Sequence, residues 1–319
     1  MTRIGTDISQ AVELLTEGEV VAIPTETVYG LAGNGTSTET AARIFEIKNR
    51  PRFDPMILHF RDLSAIQSFV IDIPDNGRKL AEALWPGPLT LLLEKTKKVP
   101  DLVTSGSPKV AVRVPSHPML VQVLGALDFP LAAPSANPFG YISPTTAQHV
   151  ADQLGDQIPY ILDGGPCTIG LESTIVDVTG SKAKVLRKGG VTIESIEELV
   201  GPVDVEERST SRPSAPGMLQ SHYAPKTKFK LTDRSLKLEG VNVDKVGVLA
   251  FQEYWPGVPR ENQILLSESG DLYEAARSLF AAMREMDNQG FEIIYSSLVP
   301  DKGLGRAIND KLRRASMNV

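Results

Sequence analysis

Pro24-Thr25-Glu26-Thr27-Val28-Tyr29-Gly30-Leu31, followed by Lys48-Asn49-Arg50-Pro51, is the part of the chain on which the fold reading turns. The first run leaves a short apolar segment, Val20-Val21-Ala22-Ile23, and breaks at a proline. Hydroxyl and carboxylate side chains then stand where a core strand would have continued. Between the two runs, Thr38 to Lys48 has helical character, with a capping pair expected in Thr36 and Glu39. A strand, a polar turn and a helix ending on two cations bring hydroxyls and positive charge to one sheet edge, where open α/β sheets bind ligands. The same pattern also fits a capped loop beside a solvated helix end, where Lys and Arg are favoured without any ligand.

Working outward, the chain of 319 residues exceeds the usual single-domain size, so two domains are expected. The expected division is 1–207 for a first domain, 208–227 for a linker and 228–319 for a small second domain. Residues 1–207 hold 17 Lys and Arg against 26 Asp and Glu, a net of −9, while residues 208–319 carry +3. An acidic first domain argues against a broad nucleic-acid face, because phosphate backbones are held by clustered cations. An anion bound there must instead meet a few well-placed Lys and Arg residues, which suits a nucleotide pocket. One cysteine, Cys167, excludes an internal disulfide and a Cys-rich zinc site. With no bilayer-length apolar run and no secretion pattern at the N-terminus, a reducing, cytoplasmic setting is expected, with no membrane partner.

Periodicity predicts an opening helix from Asp7 to Gly18, and strands at 19–23 and 56–60. In the second strand Met56, Leu58 and Phe60 share one face, and Ile57 and His59 the other. Helices at 62–70 and 75–84 lead to a buried strand from Leu89 to Leu93. In Val110-Ala111-Val112-Arg113-Val114 the valines share one face, and Ala111 and Arg113 form the other. That second face fits a floor for a ligand; taken alone, the spacing favours an edge strand with its Arg in solvent. A helix from Ser116 to about Leu127 and a strand at 130–134 follow. Ser143-Pro144 reads as a helix start, with Ser143 as N-cap and free N–H groups suited to an anion. Strands at 159–163, 174–178 and 183–187 and a helix at 192–200 complete the first domain. Beyond a Ser/Pro-rich linker, strands at 245–251 and 291–296 flank a helix at 271–287. The four histidines show no metal-ligand spacing, and no nucleophile elbow is present.

Taken together, Pro24–Leu31, Lys48-x-Arg50-Pro51, Val110–Pro115, Ala132–Asn137, Ser143-Pro144-Thr145, Glu172–Val176 and Leu186–Gly190 resemble the YrdC-type threonylcarbamoyl-AMP synthases. Ser214–Met218 and His222-Tyr223-Ala224-Pro225 resemble the linker of the long, two-domain form. The resemblance implies an α/β fold: a twisted mixed sheet with a large concave cleft, plus a smaller Rossmann-like C-terminal domain. It implies a nucleotidyltransferase reaction in which L-threonine, bicarbonate or CO2, and ATP give threonylcarbamoyl-AMP and pyrophosphate. A downstream transferase complex would pass the group to tRNA, so tRNA is met only indirectly. Mg²⁺ is expected to arrive with ATP rather than on a protein motif. The alternatives are an RNA-binding module of the same fold without adenylyl transfer, and carbamoyl transfer as in related domains of larger maturation proteins.

Residue by residue, Thr27, His59, Arg113, Ala133 and Ser173 match the family's threonine-binding positions. Arg50, Asp54, Lys109, Ser135, Ser143, Arg187 and Tyr223 match nucleotide-binding positions, with Tyr223 as part of a lid. Lys48 and Arg50 match the basic pair implied to serve adenylyl transfer. Two positions depart from the pattern: the family commonly has Asn where this chain has Asp54, and Thr where it has Lys109. Their opposite charges are open to offsetting each other as a pair.

Overall fold

The computed structural model describes residues 2–206, 223–234 and 242–317. They divide into two compact units, the second comprising the C-terminal residues together with Gly140–Ile142 and Ile169–Leu171. Ser214–Met218 and His222 lie outside the described residues.

In chain order the strands of the first unit are β1 (Arg3–Gly5), β2 (Val21–Ile23), β3 (Gly30–Asn34), β4 (Ile57–His59), β5 (Leu89–Glu94) and β6 (Lys109–Arg113). They continue as β7 (Leu131–Ala132), β8 (Tyr160–Leu162), β9 (Thr174–Asp177), β10 (Lys184–Arg187) and β11 (Asp204–Val205). One sheet joins them in the order β1-β8-β2-β3-β7-β4-β6-β5-β9-β10-β11. It is mixed: β4 runs parallel to β6, whereas β5 is antiparallel to β6 and β9 antiparallel to β10.

Strand β3 does not follow from the sequence pattern, since its two glycines weaken strand propensity. Packing explains Gly33: a Cβ there would lie 2.2 Å from Thr40 Cγ2, so the helix Thr38–Lys48 rests directly on the strand. That helix has its predicted bounds but a different cap. Ser37, not Thr36, accepts from the Thr40 N–H, while Thr36 is held by the Asn34 side chain. The helix begun by Ser143 on sequence starts instead at Ala147, where the Thr146 hydroxyl accepts from the His149 N–H. Ser143 is committed elsewhere, and a free helix end at that residue is not observed.

The alternation of β4 and β6 partitions the sheet as expected. Met56, Leu58, Phe60, Val110, Val112 and Val114 enter the main core. Ile57 and Ala111 join Leu92, Ile175 and Leu186 in a separate apolar group, a floor spread over five adjacent strands. Arg113 shares that floor face, yet β6 is an interior strand and Arg113 is only 3% exposed. The reading of a solvent-facing edge arginine is therefore overturned, because β4 and β5 flank it on both sides.

The second unit is a four-stranded parallel sheet of β12 (Lys228–Leu231), β13 (Val246–Ala250), β14 (Gln263–Leu265) and β15 (Ile293–Ser296), ordered β12-β15-β13-β14. This is the Rossmann-like layout. The helix Leu272–Asn288 buries Ala275, Ala276, Leu279, Phe280, Met283 and Met286, as its helical period predicts. A last helix, Gly305–Ala315, was not legible in the sequence. Tyr223 is buried in this unit, stacked on Phe280 with centroids 5.5 Å apart and with Lys311 Nζ 5.3 Å from its ring.

Candidate active site

The loop after β2 is shaped by a single hydroxyl. Thr25 Oγ1 accepts from the N–H groups of Thr27 and Val28 and donates to Val28 O, closing a tight polar turn at the break announced by Pro24. The turn delivers Glu26 and Thr27 to Arg113 at the end of β6. Arg113 Nη1 donates to Thr27 Oγ1 at 2.9 Å, Nη2 to Glu26 Oε1 at 2.6 Å, and Nε to Gly87 O at 3.2 Å. Glu26 is 5% exposed, and although its burial opposes ionisation, the Arg113 charge holds its carboxyl below the usual range. Its Oε2 accepts no hydrogen bond among the described residues. His59 is the register partner of Arg113 on β4. Burial, reinforced by the Arg113 charge, pushes the imidazole down to about 3, so the ring is neutral. Arg113, Thr27 and His59, three positions matched to threonine, are thus together, and Glu26 of the same motif is a fourth member.

The second group gathers where the helix Thr38–Lys48 ends. Asn49 takes the left-handed conformation (φ 50°) and turns the chain, and Arg50 precedes a proline that bars further helix. Lys48 Nζ donates to Ser135 O at 2.5 Å and to Asn137 O, so the amine also straps the Ser135–Asn137 loop in place. Burial and the neighbouring Arg50 charge drive its pKa well below that of an ordinary lysine. Arg50 donates to Asp54 O and Pro55 O, and its Nη2 stands 2.8 Å from Asp54 Oδ2. From β10, Arg187 donates through Nε to Ser173 O and through Nη2 to Ser173 Oγ, each at 3.0 Å. Arg187 also acts on Asp54 through its charge.

Ser173 joins the groups, since it was matched to threonine and is bound by a nucleotide-matched arginine. The strand register explains the convergence. His59, Arg113 and Arg187 end their strands, while Leu89 of β5 pairs Thr174 at the start of β9, so all reach the same end of the strands. Such concentration of buried charge is characteristic of functional sites, because stability alone does not favour it.

The remaining matched positions have partners of their own. Ser143 Oγ donates to Glu172 Oε1 at 2.7 Å. Ser135 contributes its carbonyl to Lys48, and the Ala133 N–H donates to Ile57 O. Lys109 shares the floor face with Ala111 and Arg113, but four residues along a strand separate it from Arg113 by roughly 13 Å. Its Nζ lies 2.7 Å from Asp177 Oδ2. Asp54 and Lys109 therefore do not offset each other; each has its own partner. No cluster of three His, Cys, Asp or Glu side chains suited to a metal exists among the described residues.

Residues 13–189 match the family model described as "Telomere recombination", covering Sua5, YciO and YrdC, and residues 191–317 match "Threonylcarbamoyl-AMP synthase, C-terminal domain". The chain belongs to this family, in its two-domain form. It is 38% identical to the threonylcarbamoyl-AMP synthase of Pyrococcus abyssi, over 96% of this chain and 93% of that one. It is 36% identical to the Bacillus subtilis protein of the same name, over 97% and 92%. Among solved structures, P. abyssi Sua5 complexed with L-threonine superposes with a TM-score of 0.90 at 37% identity, over 97% of this chain and 94% of that one.

Proposed function

We propose that the protein is a threonylcarbamoyl-AMP synthase, forming threonylcarbamoyl-AMP and pyrophosphate from L-threonine, bicarbonate or CO2, and ATP. The observation that carries this reading is the meeting of two unlike groups at the same end of the strands. Arg113 with Thr27 and His59 suits an amino acid, and Lys48, Arg50 and Arg187 suit a polyphosphate. The P. abyssi relative solved with L-threonine supports threonine as a substrate.

In this reading the threonine carboxylate takes the remaining donors of Arg113, whose planar fork fits a carboxylate. The neutral amine adds to CO2, the amine proton leaves to solvent, and the new carboxylate attacks the α-phosphorus as pyrophosphate departs. The cations stabilise charge that grows on the phosphates, and the enzyme contributes positioning rather than a covalent intermediate. Mg²⁺ travels with ATP, bound mainly by phosphate oxygens. The product is passed to a separate transferase complex that modifies adenosine beside the anticodon of tRNA. A cytoplasmic setting fits the substrates, and no helix among the described residues is long and apolar enough to cross a membrane. Pyrophosphate release is expected only when ATP, threonine and bicarbonate are all present; equal release without threonine would remove the assignment.

A further inference from the structure

Asp54 is the one acidic side chain among the charged groups acting on it: Lys48 at the helix end, Arg50 just after it, and Arg187 from β10. The residue is fully buried. Its Oδ2 is 2.8 Å from Arg50 Nη2, and neither carboxylate oxygen accepts a hydrogen bond among the described residues. A carboxylate built for structure alone normally collects two or three donors when it is withdrawn from water. This one is held by proximity to cations and little else. Its single negative charge therefore faces Arg50 directly, with the charges of Lys48 and Arg187 acting on the same carboxylate.

Resting on the proposed assignment of these cations to the nucleotide, we infer that Asp54 is an internal stand-in anion that takes up a proton when the triphosphate binds. Two anions cannot share one buried cluster without a steep electrostatic cost, and the weaker acid takes the proton. The proton comes from solvent, and Arg50 is released from the ion pair to donate to phosphate. Burial already raises the carboxyl against the pull of Arg50, Lys48 and Arg187, so the group is poised for that uptake. Asp54 thus acts through Arg50 as a positioning residue. Nucleotide affinity should fall with rising pH, by about tenfold per pH unit where one proton is taken up.

The test is calorimetric titration of the full chain with a non-hydrolysable Mg²⁺–ATP analogue, across pH 6 to 9 (about half-unit steps), in buffers of different ionisation enthalpy. Wild type should show proton uptake approaching one per site, and Asp54→Asn should lose that uptake and bind more tightly above neutrality. Equal uptake in both proteins, or none in wild type while the analogue binds, would overturn the inference. Absence of binding altogether would instead strike the assignment of the site to a nucleotide. If the variant does not fold, infrared difference spectra of wild type decide the matter. A protonated-carboxyl band appearing on binding supports the inference, and its absence refutes it.

Discussion

The two ends of the site answer the same problem, a buried cation, in opposite ways. At the end proposed for the amino acid one guanidinium faces one carboxylate, Arg113 on Glu26, beside a neutral imidazole, and the pair is closely balanced. At the end proposed for the nucleotide, Arg50 pairs with Asp54, Lys48 and Arg187 act on that carboxylate through their charges, and the buried Glu172 is bonded by Ser143. The balanced end suits a zwitterion, whose carboxylate and amine bring no net charge. The unbalanced end suits a polyanion. The surplus positive charge is concentrated in a few residues within a domain whose sequence is strongly acidic overall.

The comparison breaks most visibly at Arg113. Replacing it by alanine leaves Glu26 buried without its cation, which should cost about 3–5 kcal/mol of stability. Denaturant unfolding measures this, and a loss below about 1 kcal/mol would show that the pair is not the closed unit described. Per pH unit, a smaller effect comes from His59. Its folded pKa of about 3 lies below the ordinary 6.5, so the unfolded chain binds the extra proton. Stability from this group is complete above 6.5 and is lost as pH falls below it, by about 1.4 kcal/mol per pH unit towards 3. Replacing His59 with Gln should flatten that acid limb; an unchanged limb would separate His59 from it. The end proposed for the amino acid is thereby expected to be silent in pH above neutrality.

Much of this was legible in the chain because alternation is a local property. The valine and alanine faces of Val110–Val114 and the opposed faces of Ile57 and Leu58 were readable from spacing alone, and the structure places them in separate clusters. What escaped was set at long range. That β6 lies inside the sheet depends on β4 and β5 pairing on both sides of it, and no pattern within β6 records this. Strand β3 is glycine-rich for the sake of a helix that follows it, so its own propensity misleads. The cap assigned to Ser143 failed because its hydroxyl is used by Glu172, 29 residues away. Glu26 was visible in the motif, but its partnership with Arg113 spans 87 residues.

The division of labour between the two ends is tested most directly by measuring threonine and ATP binding separately in Arg113→Lys and Arg50→Lys. Both changes preserve charge but remove the planar fork. Arg113→Lys is predicted to weaken threonine binding by about 10- to 100-fold while ATP affinity stays within about threefold, and Arg50→Lys to show the reverse. Parallel losses of both ligands in both variants would contradict the account.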